Sequence, residues 1–125
     1  MPSRLTLLFS PRILRPLFWF CAALALTMAL LPSPPSLPID RFGDKTEHML
    51  AFATLALLAD LGWRRKPTLL IAVGLSAFGA LIEFLQAIPA VHRDADPLDW
   101  LADTAAIIVA TLVVRLLRRL LPEQD

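Results

Sequence analysis

The chain holds a single cysteine, Cys21, in 125 residues. One thiol excludes an intrachain disulfide and any zinc site built on cysteines, and its place inside an apolar run reads as packing. Net charge is also scarce. Twelve basic and eleven acidic side chains leave +1, which indicates no nucleic acid partner. No internal repeat stands out, and no nucleophile motif does, because Ser76 and Thr104 lie within apolar stretches without an evident partner. Apolar surface is what the chain has in excess. Hydrophobic residues make up 57% of it, and mean hydropathy is +0.64. A soluble domain of this length cannot bury that share, so an integral membrane protein is expected, with one domain over residues 1–125.

Four apolar segments are expected to cross the membrane, at residues 13–31, 46–63, 68–88 and 98–117. Each approaches the ~20 residues that a helix needs to span the hydrocarbon core. Backbone polar groups in lipid must be satisfied within the segment, and the runs are continuous rather than alternating, which disfavours a β-barrel. The expected fold is therefore all-α, an integral membrane four-helix bundle. Arg4, Arg12 and Arg15, then Arg64, Arg65 and Lys66, then Arg115, Arg118 and Arg119 all fall on one side of that topology. Only Arg41, Lys45 and Arg93 fall on the other, so both termini are expected to be cytoplasmic. Arg12 and Arg15 before an apolar run also resemble a signal peptide. No small-x-small site closes the run, and Pro32, Pro34 and Pro35 follow it, so a retained helix is expected.

The first outer loop, residues 32–43, is proline-rich and reads as an extended spacer. The second, residues 89–96, carries His92, Arg93 and Asp94, with His92 read as a solvated loop residue. The short inner connection at Arg64 to Lys66 makes its flanking segments antiparallel neighbours. Asp96 before Pro97 reads as a helix N-cap, with Asp99 complementing the dipole in the first turn. Asp60 stands four residues before Arg64 and is expected to pair with it. Ala72, Ser76 and Ala80, and likewise Ala102, Ala106 and Ala110, recur every four residues, a spacing that lets helices approach closely.

Ionisable residues interrupt three of the apolar segments at matching ends. Asp44 and His48 share one helix face with Lys45 beside it; Glu83 and Gln86 share another; Asp96, Asp99 and Asp103 form an acidic stripe. Glu83 and Asp103 each lie roughly 9 Å below their outer helix ends at 1.5 Å per residue. The three sets should meet just under the outer surface, with Arg93 above them. Intramembrane ionisable groups are costly, so such a cluster is a candidate site. His48 and Glu83 suit a general acid–base pair and are the candidate catalytic residues. Asp44, His48 and Glu83 are able to ligate a divalent ion, but nothing sets a ligand count, so no metal or other cofactor is assigned. Lys45 and Arg93 suit an anionic head group. The competing reading is a structural network, with Lys45 on an acid and His48 on Glu83.

These residues resemble the VanZ-like family. Asp44, Lys45 and His48, followed by Phe52, are similar to its opening motif; Gly79, Glu83 and Gln86 to its second; Arg93, Asp96 and Asp99 to its third. Asp103 and Ala106 stand where the family usually has Asn and a glycine, a change that bears on how closely the last helix packs. The motifs run in order from Asp44 to Ala106. The resemblance implies a small multi-pass protein of a bacterial inner or plasma membrane, associated with resistance to teicoplanin, a lipid-bearing glycopeptide.

The leading expectation is a cell-envelope protein whose outward pocket binds a lipid or lipid-linked wall component. Asp44, Lys45, His48, Glu83, Gln86, Arg93, Asp96, Asp99 and Asp103 would line it. The alternatives are a membrane-embedded enzyme acting on a lipid head group, a proton-linked channel that would need a homo-oligomer to enclose a path, and a helix bundle whose polar core is only structural.

Overall fold

A computed structural model describes residues 4–32 and 43–120, apart from the side chains of Leu5, Thr6 and Asp44. Apart from Pro32 and Gly43, the expected proline-rich spacer, with Arg41, falls on residues 33–42, outside the described ones. Among the described residues every regular element is helical. These are α1 (Arg4–Leu8), α2 (Pro11–Leu30), α3 (Asp44–Gly62), α4 (Thr68–Gln86) and α5 (Pro97–Leu120), with a 3-10 turn at Pro89–Val91. The four long helices match the expected segments to within a turn, while the short α1 was not anticipated.

Local chemistry explains the boundaries. Ser10 caps α2 by accepting from the Arg12 amide at 3.2 Å, and Pro11 occupies its first position. Gly43, ahead of α3, has φ +92°, a backbone state that favours glycine. Asp96 caps α5 as expected, its Oδ1 accepting from the Leu98 amide at 3.0 Å.

Three helices, α2, α4 and α5, are long and apolar enough to cross a membrane, with mean hydropathies of 1.8, 2.1 and 1.9 over their most apolar stretches. The expected fourth crossing, residues 46–63, is not among them. α3 carries Asp44, Lys45, Glu47 and Asp60, which leaves it no sufficiently long uncharged run. Its apolar face meets protein instead, for α3 packs against α2, α4 and α5. Phe52, Leu55, Ala56 and Ala59, spaced by three and four, are buried, with Ala56 fully inaccessible. Leu75, Gly79, Ile82 and Gln86 are the buried line of α4, and Asp103, Ala106, Ile107, Ala110 and Val114 that of α5. The outer faces stay apolar: Leu69 is 75% exposed and Phe84 70%. Ala106 and Ala110 are buried as their spacing suggested, whereas Ala80 faces outward, because the buried line of α4 runs through Leu75 and Gly79.

The Gly62 end of α3 is tied to two neighbours. Arg15 Nε of α2 donates to the Gly62 carbonyl at 2.8 Å, and its guanidinium lies 5.4 Å from the Trp63 ring centre. Asp60 does not pair with Arg64, which lies beyond the helix end, where the four-residue spacing no longer holds. Its carboxylate, 1% exposed, faces α5, where Oδ2 is 3.6 Å from an Arg118 nitrogen that also donates to the Asp60 carbonyl. Replacing Arg118 with Gln leaves a buried carboxylate short of its partner. Arg118→Gln is expected to lower unfolding stability in detergent by about 1–3 kcal/mol, and adding Asp60→Asn to restore part of it. Thermal melts of the two variants check this; equal melting of wild type and Arg118→Gln would show that the pair contributes nothing.

Candidate functional site

At the opposite end of α3, the sequence brings three helices and a loop together. The first turn of α3 projects Lys45, whose Nζ lies 3.0 Å from Asp96 Oδ2 and 3.1 Å from Asp99 Oδ1. One turn deeper, His48 Nδ1 lies 3.8 Å from Asp103 Oδ2. That distance exceeds a hydrogen bond and is an electrostatic pairing. Glu83 Oε2 on α4 accepts from the Asp96 amide at 2.9 Å, which fixes the start of α5 against the end of α4. Lys45, His48, Glu83, Asp96, Asp99 and Asp103 thus form one network, with four carboxylates against one ammonium and one imidazole. The expected His48–Glu83 pair does not form, because each side chain is committed to α5 or to the loop before it. Asp103 is 1% exposed and its Oδ1, like Glu83 Oε1, accepts no hydrogen bond among the described residues.

Gln86 and Arg93 serve a different neighbour. Gln86 Nε2 donates to the Ala29 carbonyl at 2.9 Å, and an Arg93 guanidinium nitrogen donates to the Leu31 carbonyl at 3.1 Å. The last carbonyls of a helix lack partners within it, so these bonds complete the end of α2. Gly79 lets α4 come close to the network: a Cβ there would rest 3.4 Å from Phe52 and 3.6 Å from Asp103 Oδ2. Ser76 and Thr104 prove to be partners, with their hydroxyls 2.9 Å apart across α4 and α5. The side chain of Asp44 is outside the described ones. Among those that are described, no three His, Cys, Asp or Glu side chains are placed to hold a metal ion.

Beside the network lies a half-open cavity of about 710 Å³ between α2, α3 and the second loop. Of the eight expected pocket residues whose side chains are described, His48 and Arg93 line it. Glu47, His92 and Asp94 complete its polar mouth, and sequence reading missed them as site residues. Glu47 was detectable: it shares a face with Leu50, Ala51 and Thr54, at spacings of three, four and seven, and all four line the cavity. His92 adopts a left-handed backbone at φ 54°, uncommon outside glycine, where the chain leaves the 3-10 turn. A second cavity, of about 490 Å³ near Phe18, Trp63 and Phe78, is apolar except for Lys66.

With this geometry in hand, comparison with known proteins found no matching family model, no matching curated protein and no matching solved structure. Chemically, the network can hold the loop before α5 against α3 and back His48 with a carboxylate where its ring borders the cavity. Lys45 already has two carboxylate partners, which reduces its call on an anionic ligand.

Lys45 precedes the apolar part of α3, and Asp96 lies in the loop before α5. Hydrogen bonds from the Lys45 ammonium and the Leu98 amide hold the Asp96 carboxyl below its ordinary range. Hydrogen bonds to Asp96 and Asp99 hold Lys45 above its own. Asp96 therefore contributes stability above the ordinary carboxylate range and loses it as pH falls through its lowered value. Lys45 contributes below the ordinary lysine range and loses it as pH rises through its raised value. The difference in melting temperature between wild type and Lys45→Met should be flat across the neutral range and shrink toward both extremes. A step near neutral pH would assign the coupling to a histidine instead.

Proposed function

We propose that this chain is a VanZ-like cell-envelope protein, multi-pass in a bacterial inner or plasma membrane, whose outward-facing pocket binds a lipid or lipid-linked wall component. In this reading α3 joins α2, α4 and α5 as the fourth helix of a bundle with both termini cytoplasmic, and protein rather than lipid surrounds its charges. Resistance to lipid-bearing glycopeptides of the teicoplanin type would follow from altered exposure of surface targets. The observation that carries the reading is the amphipathic cavity beside the network, its mouth formed by Glu47, His48, His92, Arg93 and Asp94. Three helices long and apolar enough to cross a membrane support the location.

One observation favours a second reading, an enzyme acting on a lipid head group. His48 borders the cavity with Asp103 behind it, an arrangement suited to holding and moving a proton.

Complementation of a deletion strain tests the site. His48→Ala and Arg93→Gln, which change residues that line the cavity, should accumulate in membranes like wild type while losing most protection against lipoglycopeptide and envelope stress. Loss of protection that only tracks loss of protein would make both residues structural and sink the pocket reading.

A further inference from the structure

The cavity between α2 and α3 changes character along its length. Deep in it the walls are apolar, with Leu24 and Met28 of α2 facing Leu50 and Ala51 of α3. Below the mouth the lining runs from Cys21 to Met28 on α2 and from Leu50 to Thr54 on α3, about 6–10 Å at 1.5 Å per residue. The Thr54 hydroxyl donates to the Leu50 carbonyl of its own helix, and the depth takes the upper part of an acyl chain beneath a head group. The mouth carries both signs of charge. Arg93 is held on the α2 side by its bond to the Leu31 carbonyl, which occupies one of its five N–H groups. Glu47 stands on the α3 side, and its Oε1 is out of solvent without a hydrogen-bond donor among the described residues. A buried acceptor left unpaired is costly, and a turn of the Glu47 side chain into the cavity that it lines would bring it to a donor on a ligand.

Resting on the lipid-pocket reading above, we propose that the occupant is a membrane phospholipid whose head group carries both a phosphate and a primary amine. Arg93 takes the phosphate, the ammonium donates to Glu47, and one acyl chain lies between α2 and α3. A purely anionic head group would leave Glu47 unpaired and meet Asp94 at the same mouth. A quaternary ammonium has no N–H to give.

The test is native mass spectrometry of the delipidated full chain, titrated with dioleoyl phosphatidylethanolamine, phosphatidylglycerol or phosphatidylcholine. The ethanolamine lipid should bind about tenfold more tightly than the other two, as one charge-assisted hydrogen bond allows. Glu47→Gln should remove that preference and leave phosphatidylglycerol binding unchanged. Ala51→Trp, which fills the apolar part, should block all three lipids. Leu24→Trp on the opposite wall should do the same, with circular dichroism showing that both variants remain folded. Equal affinity for the three lipids, or a preference that survives Glu47→Gln, overturns the head-group assignment; if the tryptophan variants still block binding, the pocket reading stands. Binding that folded tryptophan variants leave intact overturns both.

Discussion

Lys45, His48 and Asp60 of α3 each lie against an ionisable partner, and the packing of α5 follows from how the three are met. Lys45 meets Asp96 and Asp99, His48 meets Asp103, and Asp60 meets Arg118. Every one of those partners lies on α5 or at its N-cap. The buried line of α5 therefore has polar groups at both ends and Ala106, Ile107 and Ala110 between them, opposite the apolar middle of α3. Polar contacts between membrane helices average only about 0.6 kcal/mol. Leaving a buried ionisable group unpaired costs about 1–3 kcal/mol, so the pairs matter chiefly through the penalty they avoid.

Two functions are divided between adjacent faces of α3. Lys45, His48 and Phe52 lie along the face toward α5 and α4, and Glu47, Leu50, Ala51 and Thr54 along the face toward α2. Successive helical residues are rotated by about 100°, so neighbours in sequence serve different surroundings. Phe52 lies deep enough to border the cavity as well as the core, and His48 both pairs with Asp103 and borders the cavity. His48 is thus where the network and the proposed ligand pocket touch. Arg93 has a comparable double position, completing the end of α2 while facing the cavity mouth.

Much of the candidate site was legible. The polar residues of α3, α4 and α5 were expected at one end of the helices, and the Asp96 cap of α5 and its acidic first turn were read correctly. Of the partners, Lys45 on an acid was anticipated in the competing structural reading. His48 on Glu83, from the same reading, and Asp60 on Arg64 were not found, and Gln86 was expected in a pocket rather than on the Ala29 carbonyl. Glu47 does not stand out in the sequence, because Asp44 and His48, four residues apart, mark a neighbouring face.

Hydropathy, helix length and capping depend on residues close together in the chain, so sequence alone determined the all-helical character, the helix boundaries and which ends would be polar. Which helix is surrounded by the others, and which acid meets which base, depends on helix order and on rotation about each axis. A repeat in the sequence gives the width of a face but not its direction. Tertiary packing alone decided that α3 lies chiefly against α5 and α2, with α4 packed against all three. It also set α5 against the charges of α3 and left Glu47 at the mouth of a cavity rather than in the core.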